Sequence, residues 1–255
     1  HSVVGSDTLF AALVHAANML GVAEEFICAA REKRLFLSSL FPENGAGKCL
    51  LPVLLADGPA WQEADGPVAP QPASPAQVAL PPPERWRRSA LERLTLAATP
   101  FSEVLENVQA ARFWVGIDPA LKGHLSTCLH LLEDGGIGGG KSIGRGRFAL
   151  LECREIPDPR ATSGKGRLLS LAVPERGEEG ACRELALWVD RNGYTEEAYR
   201  GKPNRRRVGL WALAEGTVVP FSLRGAVSVL DEESNLVHYG LALVARCGLE
   251  ECGYS

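Results

Sequence analysis

The residues with the clearest chemical potential lie between Gly135 and Phe148, in the run GGIGGGKSIGRGRF. Seven of these fourteen residues are glycine and three are basic, namely Lys141, Arg145 and Arg147. Glycine lets the backbone take positive φ and come close to a ligand, while lysine and arginine neutralise phosphate. The run therefore predicts a binding site for a polyanion.

Two kinds of polyanion fit this glycine-rich loop, which we define as residues 135–148. Residues 135–142 match the G-x-x-x-x-G-K-S pattern of a nucleotide-binding P-loop, which needs a strand before it and a helix after it. Here the apolar spacing over 121–132 predicts a helix before the glycines, and residues 147–153 have the composition of a strand. A Walker-B-like run ending at Asp190 occurs often by chance in buried strands. The order favours a nucleic acid, with an NTPase and a merely flexible surface loop as the less favoured alternatives.

If the ligand is RNA, each residue type has a distinct expected role. The basic residues would neutralise phosphates, and Ser142 would donate a hydrogen bond. Main-chain N–H groups would come close to the RNA backbone at the loop glycines, which are Gly135, Gly136, Gly138, Gly139, Gly140 and Gly144. Single-stranded RNA is usually read by bases that stack on aromatic or guanidinium planes, and the candidates for this role are Phe148, Trp86 and Arg93.

A second set of candidates opens the first predicted helix. Ser6, Asp7 and Thr8 precede an apolar stripe that starts at Leu9. Ser6 is a plausible N-cap, and Asp7 in the first turn complements the helix dipole. These residues could either contact RNA or only cap the helix. For Arg205, Arg206 and Arg207 two interpretations stay open: an extension of the RNA-binding groove, or a solvated charge run.

Composition places the chain among ordinary globular proteins. Its 255 residues are 45% hydrophobic and 23% charged, with a net charge of −4. The basic residues are unevenly distributed, since residues 200–207 contain five basic residues and no acidic one. Such clustering predicts one basic face, with other surfaces suited to different partners.

Several classes of site and location are disfavoured. The seven cysteines lack Cys-x-x-Cys spacing, so we expect reduced thiols in the core. The five histidines are isolated and predict no metal site, and nothing indicates a cofactor. No stretch approaches the roughly 20 apolar residues of a membrane span, and no signal peptide is present. We therefore expect a cytoplasmic protein that does not bind membranes.

Apolar periodicity and turn residues predict an α+β fold in two parts. The first part, 1–156, would hold two helices before residue 34, extended segments at 35–42 and 48–54, and a strand at 112–117. Seven prolines in residues 67–83 predict a linker or disordered insertion. Residues 157–255 contain several short apolar runs separated by turns and would form a strand-rich domain. The order of strand, helix, glycine loop and strand suits the second half of a ferredoxin-like βαββαβ unit.

These motifs resemble the RAMP proteins of CRISPR effector complexes, which carry a glycine-rich loop after the last helix of a ferredoxin-like fold. The narrower resemblance is to the family of Csm subunit four in type III-A complexes. Its motifs match this sequence in family order at Ser6–Phe10, Ser38–Pro42, Gly136–Phe148, Ala214–Val218 and Tyr239–Leu243. Two features depart from the family pattern: the opening strand before Ser6 is missing, which suggests a truncated amino-terminus, and the proline tract is unusually long.

The resemblance implies a non-catalytic subunit that binds the 5′ tag of crRNA and docks the large polymerase-like subunit. It also implies contact with the RAMP backbone subunit, indirect contact with target RNA, and a second half derived from a ferredoxin-like fold. A protruding thumb, expected at about 84–114, would kink the RNA where tag meets spacer. The alternative within this class is a RAMP endoribonuclease that processes precursor crRNA, with a histidine as general acid or base. His15 lies close to an apolar stripe, which favours a structural role for it.

Overall fold

The structure is a computed structural model that describes residues 4–55, 58–64, 84–91, 98–105, 108–141, 144–156, 158, 164–178, 180, 186–192, 209–231 and 236–246. The helices are α1 (Ser6–Met19), α2 (Ala23–Arg31) and α3 (Lys122–Gly135), with a 3-10 turn at Pro119–Leu121 before α3. The strands of the first half are β1 (Leu35–Leu37), β2 (Phe41–Pro42), β3 (Cys49–Leu55), β4 (Gly58–Ala64), β5 (Glu84–Leu91), β6 (Ala98–Leu105), β7 (Ala111–Arg112) and β8 (Val115–Ile117). Those of the second half are β9 (Lys165–Leu168), β10 (Trp188–Arg191), β11 (Leu210–Leu213), β12 (Val218–Pro220), β13 (Gly225–Asp231), β14 (Leu236–Leu241) and β15 (Val244–Arg246).

The mixture of helices and strands confirms the α+β prediction. Every strand pairing in the described residues is antiparallel. β1 pairs with β8 and β2 with β7, β9 lies between β12 and β15, and the remaining strands form the hairpins or pairs β3–β4, β5–β6, β10–β11 and β13–β14. The finer ferredoxin-like order stays a prediction.

Two hydrophobic clusters lie in the described residues. The smaller is formed wholly by the second half, from Leu168, Ala172, Leu213, Val219, Leu223, Ala242 and Val244. The larger contains residues of both predicted halves. Leu9, Phe10 and Leu13 of α1 are buried with Tyr239 and Leu241 of β14 in the same cluster. The rings of Phe10 and Tyr239 stack with centroids 4.8 Å apart, and the Leu37 amide donates to the Tyr239 hydroxyl at 2.6 Å. Burial raises the pKa of this phenol. The division at 156/157 stays a prediction, and the larger cluster contains residues from both sides of it.

Buried serine hydroxyls link distant parts of the chain through hydrogen bonds. The Ser39 hydroxyl accepts from the Ser6 amide at 2.9 Å and donates to the buried carboxylate of Glu215 at 2.5 Å. The Ser38 hydroxyl accepts from the Trp114 amide at 2.8 Å. The Ser38 hydroxyl also donates locally, to the Ser39 carbonyl at 2.7 Å. The other three hydrogen bonds join residues far apart in the chain, and together they satisfy these buried polar groups.

The predicted N-cap at Ser6 is wrong. Gly5 occupies the N-cap position without any side-chain cap, and Ser6 is the first helical residue. The Ser6 hydroxyl instead accepts from the Leu171 amide at 3.0 Å, while Ser39 supplies the acceptor for the Ser6 amide. A distant serine thus does the capping that local sequence assigned to Ser6.

The predicted strand at 147–153 is also wrong, because residues 147–156 form no regular element. The Leu150 amide donates to the Glu133 carboxylate rather than to a neighbouring strand, and the Leu151 side chain is 84% exposed. Apolar composition alone does not make a strand where no partner takes the backbone groups.

The expectation of core thiols holds for some cysteines only. Cys49 and Cys128 are buried, and burial raises the pKa of the Cys49 thiol to about 12. Cys153 is exposed, contrary to the expectation, because it lies in the irregular segment after the glycine-rich loop.

Some predictions fall outside the described residues. These are the proline tract at 67–83, Ser142, Arg93 and the arginines at 205–207. Within the predicted thumb region, β5 and β6 form an antiparallel hairpin whose register runs from Glu84 opposite Leu105 to Leu91 opposite Ala98.

Candidate nucleic-acid interface

Helix α3 positions the glycine-rich loop. Leu125, Cys128, Leu129 and Leu132 are its buried face, as the apolar spacing predicted. The helix ends where Gly136 takes a φ of 75° and donates its amide to the Leu132 carbonyl at 2.8 Å. A positive φ favours glycine, so the chain leaves the helix sharply at this residue.

The loop folds back on itself through backbone hydrogen bonds. The Ile137 amide donates to the Gly146 carbonyl at 3.0 Å, and the Arg145 amide donates to the Gly140 carbonyl at 3.2 Å. Gly144 closes the tip by donating to the Lys141 carbonyl at 3.0 Å. The outgoing and returning arms are thus held together, and the basic residues are carried on a closed loop.

The glycines divide into two groups according to the space around them. A Cβ at Gly146, whose φ is 71°, would lie 2.0 Å from the Ile137 carbonyl oxygen, and one at Gly136 would lie 2.6 Å from the Arg145 carbonyl oxygen. By contrast, a Cβ at Gly138 or Gly139 would meet no atom within 4 Å. The first pair lets the two arms approach each other, whereas the second pair leaves backbone open to solvent or to a ligand.

The cations of the loop lie on the returning arm and at the tip. Arg147 is exposed, and it has no ion-pair partner among the described residues. Lys141 and Arg145 are half-buried, and the aliphatic part of Arg145 packs beside Gly140. No acidic residue occurs between Gly135 and Phe148, so the loop has a net positive charge. This charge is what a phosphate backbone requires of its binding site.

Glu133, in the last turn of α3, connects the end of this helix to the segment that follows the glycine-rich loop. Its carboxylate accepts from the Leu150 amide at 2.5 Å and lies 2.8 Å from Nδ1 of His130. The Leu150 hydrogen bond, followed by the His130 contact, holds the pKa of this carboxyl below its usual range. Ile137, Phe148 and Leu150 pack partly into the main core, so Phe148 combines a buried contact with a remaining exposed part.

The second set of candidate residues lies at the start of α1. Asp7 is buried and pairs with Arg191 of β10, and Ser6 is fully buried with the partners described above. Thr8 is half-buried and donates its amide to the Asp7 carboxylate at 2.7 Å. Ser6 and Asp7 therefore have partners within the protein, and their contact with RNA stays a prediction. The sequence did not single out Arg191. Ser39 and Glu215 lie in two of the motifs that carry the family resemblance, but their contact with each other spans 176 residues of the chain and could not be read from local sequence.

The surroundings of the loop differ from those of a P-loop. The glycines follow a helix, and residues 144–156 after them contain no helix whose amino-terminus could face a phosphate. Asp190, the Walker-B-like aspartate, is exposed on β10 rather than placed at the end of a buried strand. The helix predicted before the glycines is thus observed, whereas the strand predicted after them is not, and the preference against an NTPase stays a prediction.

Four of the five histidines lie in the described residues. His15 is exposed on α1, although its position near the apolar stripe predicted a structural role. His238 is buried in β14, and His124 and His130 lie on α3. In the part of the chain that the structure describes, no three His, Cys, Asp or Glu residues are arranged to hold a metal ion. None of the described helices combines the length and apolarity of a bilayer-spanning segment.

Similarity to solved structures extends over nearly the whole chain. One match is a chain of the Csm3–Csm4 subcomplex in the type III-A CRISPR-Cas interference complex, with a TM-score of 0.61 and 17% identity over 95% of this chain and 93% of that one. Another is a chain of the Csm1–Csm4 cassette in complex with AMPPNP, with a TM-score of 0.58 and 16% identity over 96% of this chain and 91% of that one. The chain has the fold of a Csm subunit. No protein-family model matches the sequence, and no curated protein is significantly similar to it.

Proposed function

We propose that the chain is a non-catalytic RNA-binding subunit of a type III-A CRISPR interference complex, which caps the 5′ tag of crRNA and docks the large polymerase-like subunit. The observation that carries the proposal is the closed, basic, glycine-rich loop at the end of α3, on a fold like that of solved Csm subunits. We expect the protein to act in the cytoplasm.

RNA binding would use the open side of the loop. Gly138 and Gly139 leave room for a sugar–phosphate backbone, and Lys141, Arg145 and Arg147 provide the charge to neutralise it. Ser142 would add a hydrogen bond, and the exposed part of Phe148 would receive a base. Because Gly136 and Gly146 hold the two arms together, these groups would be arranged before RNA arrives, which lowers the entropy cost of binding.

Partner docking is proposed from the likeness to solved structures. Csm4 occurs with Csm3 in one matching structure and with Csm1 in another. For this chain we propose the corresponding contacts with a RAMP backbone subunit and with the large subunit, and hence indirect contact with target RNA. The β5–β6 hairpin would be the thumb that kinks crRNA at the boundary of tag and spacer.

Assembly and cleavage assays test this function together. The chain is co-expressed with the large subunit and the backbone subunit of the same type III-A system, one of them tagged, and the bound protein and RNA are analysed. We expect capture of the chain by either partner and retention of crRNA. Purified chain incubated with repeat RNA in EDTA should leave the RNA intact. Failure to assemble with either partner, or specific cleavage of the repeat, would contradict the proposal.

A further inference from the structure

The β10–β11 pair carries two exposed tryptophans that neither the core nor the glycine-rich loop uses. Trp188 is 39% exposed and Trp211 is 62% exposed. Large aromatic side chains are among the most costly to leave in water, and they are enriched where proteins bind partners. We therefore expect these two tryptophans to contact a binding partner.

The strand register places both rings on one face together with a carboxylate. Trp188 lies opposite Leu213 and Asp190 lies opposite Trp211. Directly opposed residues of an antiparallel pair project to the same side, and so do residues two apart in a strand. Trp188, Asp190 and Trp211 therefore share a face, with the exposed Asp190 lying directly across from one ring and two positions from the other.

The basic residue of β10, Arg191, forms its ion pair on the opposite face of the strand. Arg191 projects away from the tryptophans and pairs with Asp7 at 2.9 Å. Asp190 accepts one hydrogen bond from the Asn192 amide group through Oδ2. Its other oxygen, Oδ1, lies near Gly209, where an added Cβ would come within 3.2 Å of Oδ1 and within 2.6 Å of the Asn192 side-chain oxygen. Among the described residues no cation forms an ion pair with Asp190, so the tryptophan face has a negative charge.

We propose that this tryptophan face, made of Trp188, Asp190 and Trp211, binds an arginine or lysine side chain presented by a partner protein. A guanidinium stacks on an indole ring through cation–π attraction and can pair with a neighbouring carboxylate. Both complementary groups lie within one small patch here. RNA is a poorer occupant because Asp190, the one charged residue of this face, is an anion and repels phosphate. This binding site is separate from the RNA site proposed at the glycine-rich loop.

Fluorine NMR of the protein labelled with 5-fluorotryptophan tests the proposal. The chain contains five tryptophans; the signals of Trp188 and Trp211 are assigned with the variants Trp188→Phe and Trp211→Phe. A capped glycine–arginine–glycine peptide is titrated into the protein, with the same peptide carrying citrulline as a neutral control of equal shape. A single-stranded oligouridylate forms the third arm.

We expect the arginine peptide to shift both signals and the citrulline peptide to shift them far less. The signal of the buried Trp114 should stay unchanged. Asp190→Asn should weaken the arginine peptide about two- to fivefold, the range of an exposed ion pair. Equal shifts with arginine and citrulline, shifts caused by oligouridylate alone, or no shift at either tryptophan would each overturn the proposal. None of these outcomes depends on whether the glycine-rich loop binds crRNA.

Discussion

Asp7 and Arg191, 184 residues apart in the chain, form a two-pronged ion pair in which Nε donates to Oδ2 and Nη2 donates to Oδ1, each at 2.9 Å. The Asp7 side chain is 4% exposed and that of Arg191 is 28% exposed. The pair joins the first turn of α1 to β10, and Arg191 Nη2 lies 3.3 Å from the Thr8 hydroxyl as well. The start of the first helix is thus fixed by a residue of the strand-rich half.

This pair should contribute more to stability than exposed ion pairs do. Asp7→Ala leaves a half-buried guanidinium without its carboxylate, so we expect a loss of about 1–3 kcal/mol in the free energy of unfolding. A double-mutant cycle with Arg191→Ala, measured by urea denaturation, isolates the coupling between the two residues. The matched cycle uses Lys122 and Glu155, whose ion pair is exposed. Coupling no larger for Asp7–Arg191 than for Lys122–Glu155 would show that the pair is not a structural link.

Two alanine substitutions separate the structural glycines of the loop from the open ones. Gly146→Ala would place a Cβ 2.0 Å from the Ile137 carbonyl at a φ of 71°, so we expect about 2 kcal/mol or more of destabilisation. Gly139→Ala meets no neighbour within 4 Å and should stay within about 0.5 kcal/mol of wild type. Thermal unfolding followed by circular dichroism measures both. Equal effects at the two positions would contradict the closed form of the loop.

The hydrogen bond between the Leu150 amide and the Glu133 carboxylate should weaken at low pH. Because the folded-state pKa of this carboxyl is lowered, its contribution to stability is present above the unfolded pKa, near 4.3, and is lost as pH falls through the folded value. The Leu150 amide proton, which donates to this carboxylate, should titrate with a midpoint below about 4.3 in NMR spectra. Glu133→Gln should abolish that titration, whereas Glu152→Gln, which removes a carboxylate bonded to Arg154, should retain it. A midpoint at or above the ordinary glutamate value would contradict the contact.

Elements defined by local spacing could be predicted from sequence. The apolar spacing over 121–132 and the glycines that follow it predicted α3 closely, since a helix satisfies its own backbone and needs only one apolar face. The glycine-rich loop could also be located from sequence, because its glycines and cations are adjacent in the chain.

Elements defined by distant partners could not be predicted in this way. Residues 147–153 have the composition of a strand, but the Leu150 amide bonds to a glutamate at the end of α3. Ser6 has the residue type and position of an N-cap, but its hydroxyl accepts from the Leu171 amide. The acceptor at the start of the helix is instead the Ser39 hydroxyl, which accepts from the Ser6 amide. A segment forms a strand, and a buried hydroxyl finds its hydrogen-bond partner, only through residues that the tertiary fold brings next to them.

RNA binding by the glycine-rich loop can be measured by titrating a crRNA 5′-tag oligonucleotide with wild type and with the Lys141→Ala/Arg145→Ala/Arg147→Ala variant. Removing three phosphate contacts should weaken binding about 10- to 100-fold and flatten the slope of log K against log salt by about 2. A control variant, Arg31→Ala/Lys122→Ala/Arg176→Ala, removes the same charge from exposed residues elsewhere and should bind nearly as wild type does. Unchanged affinity and an unchanged salt slope in the loop variant would contradict the account.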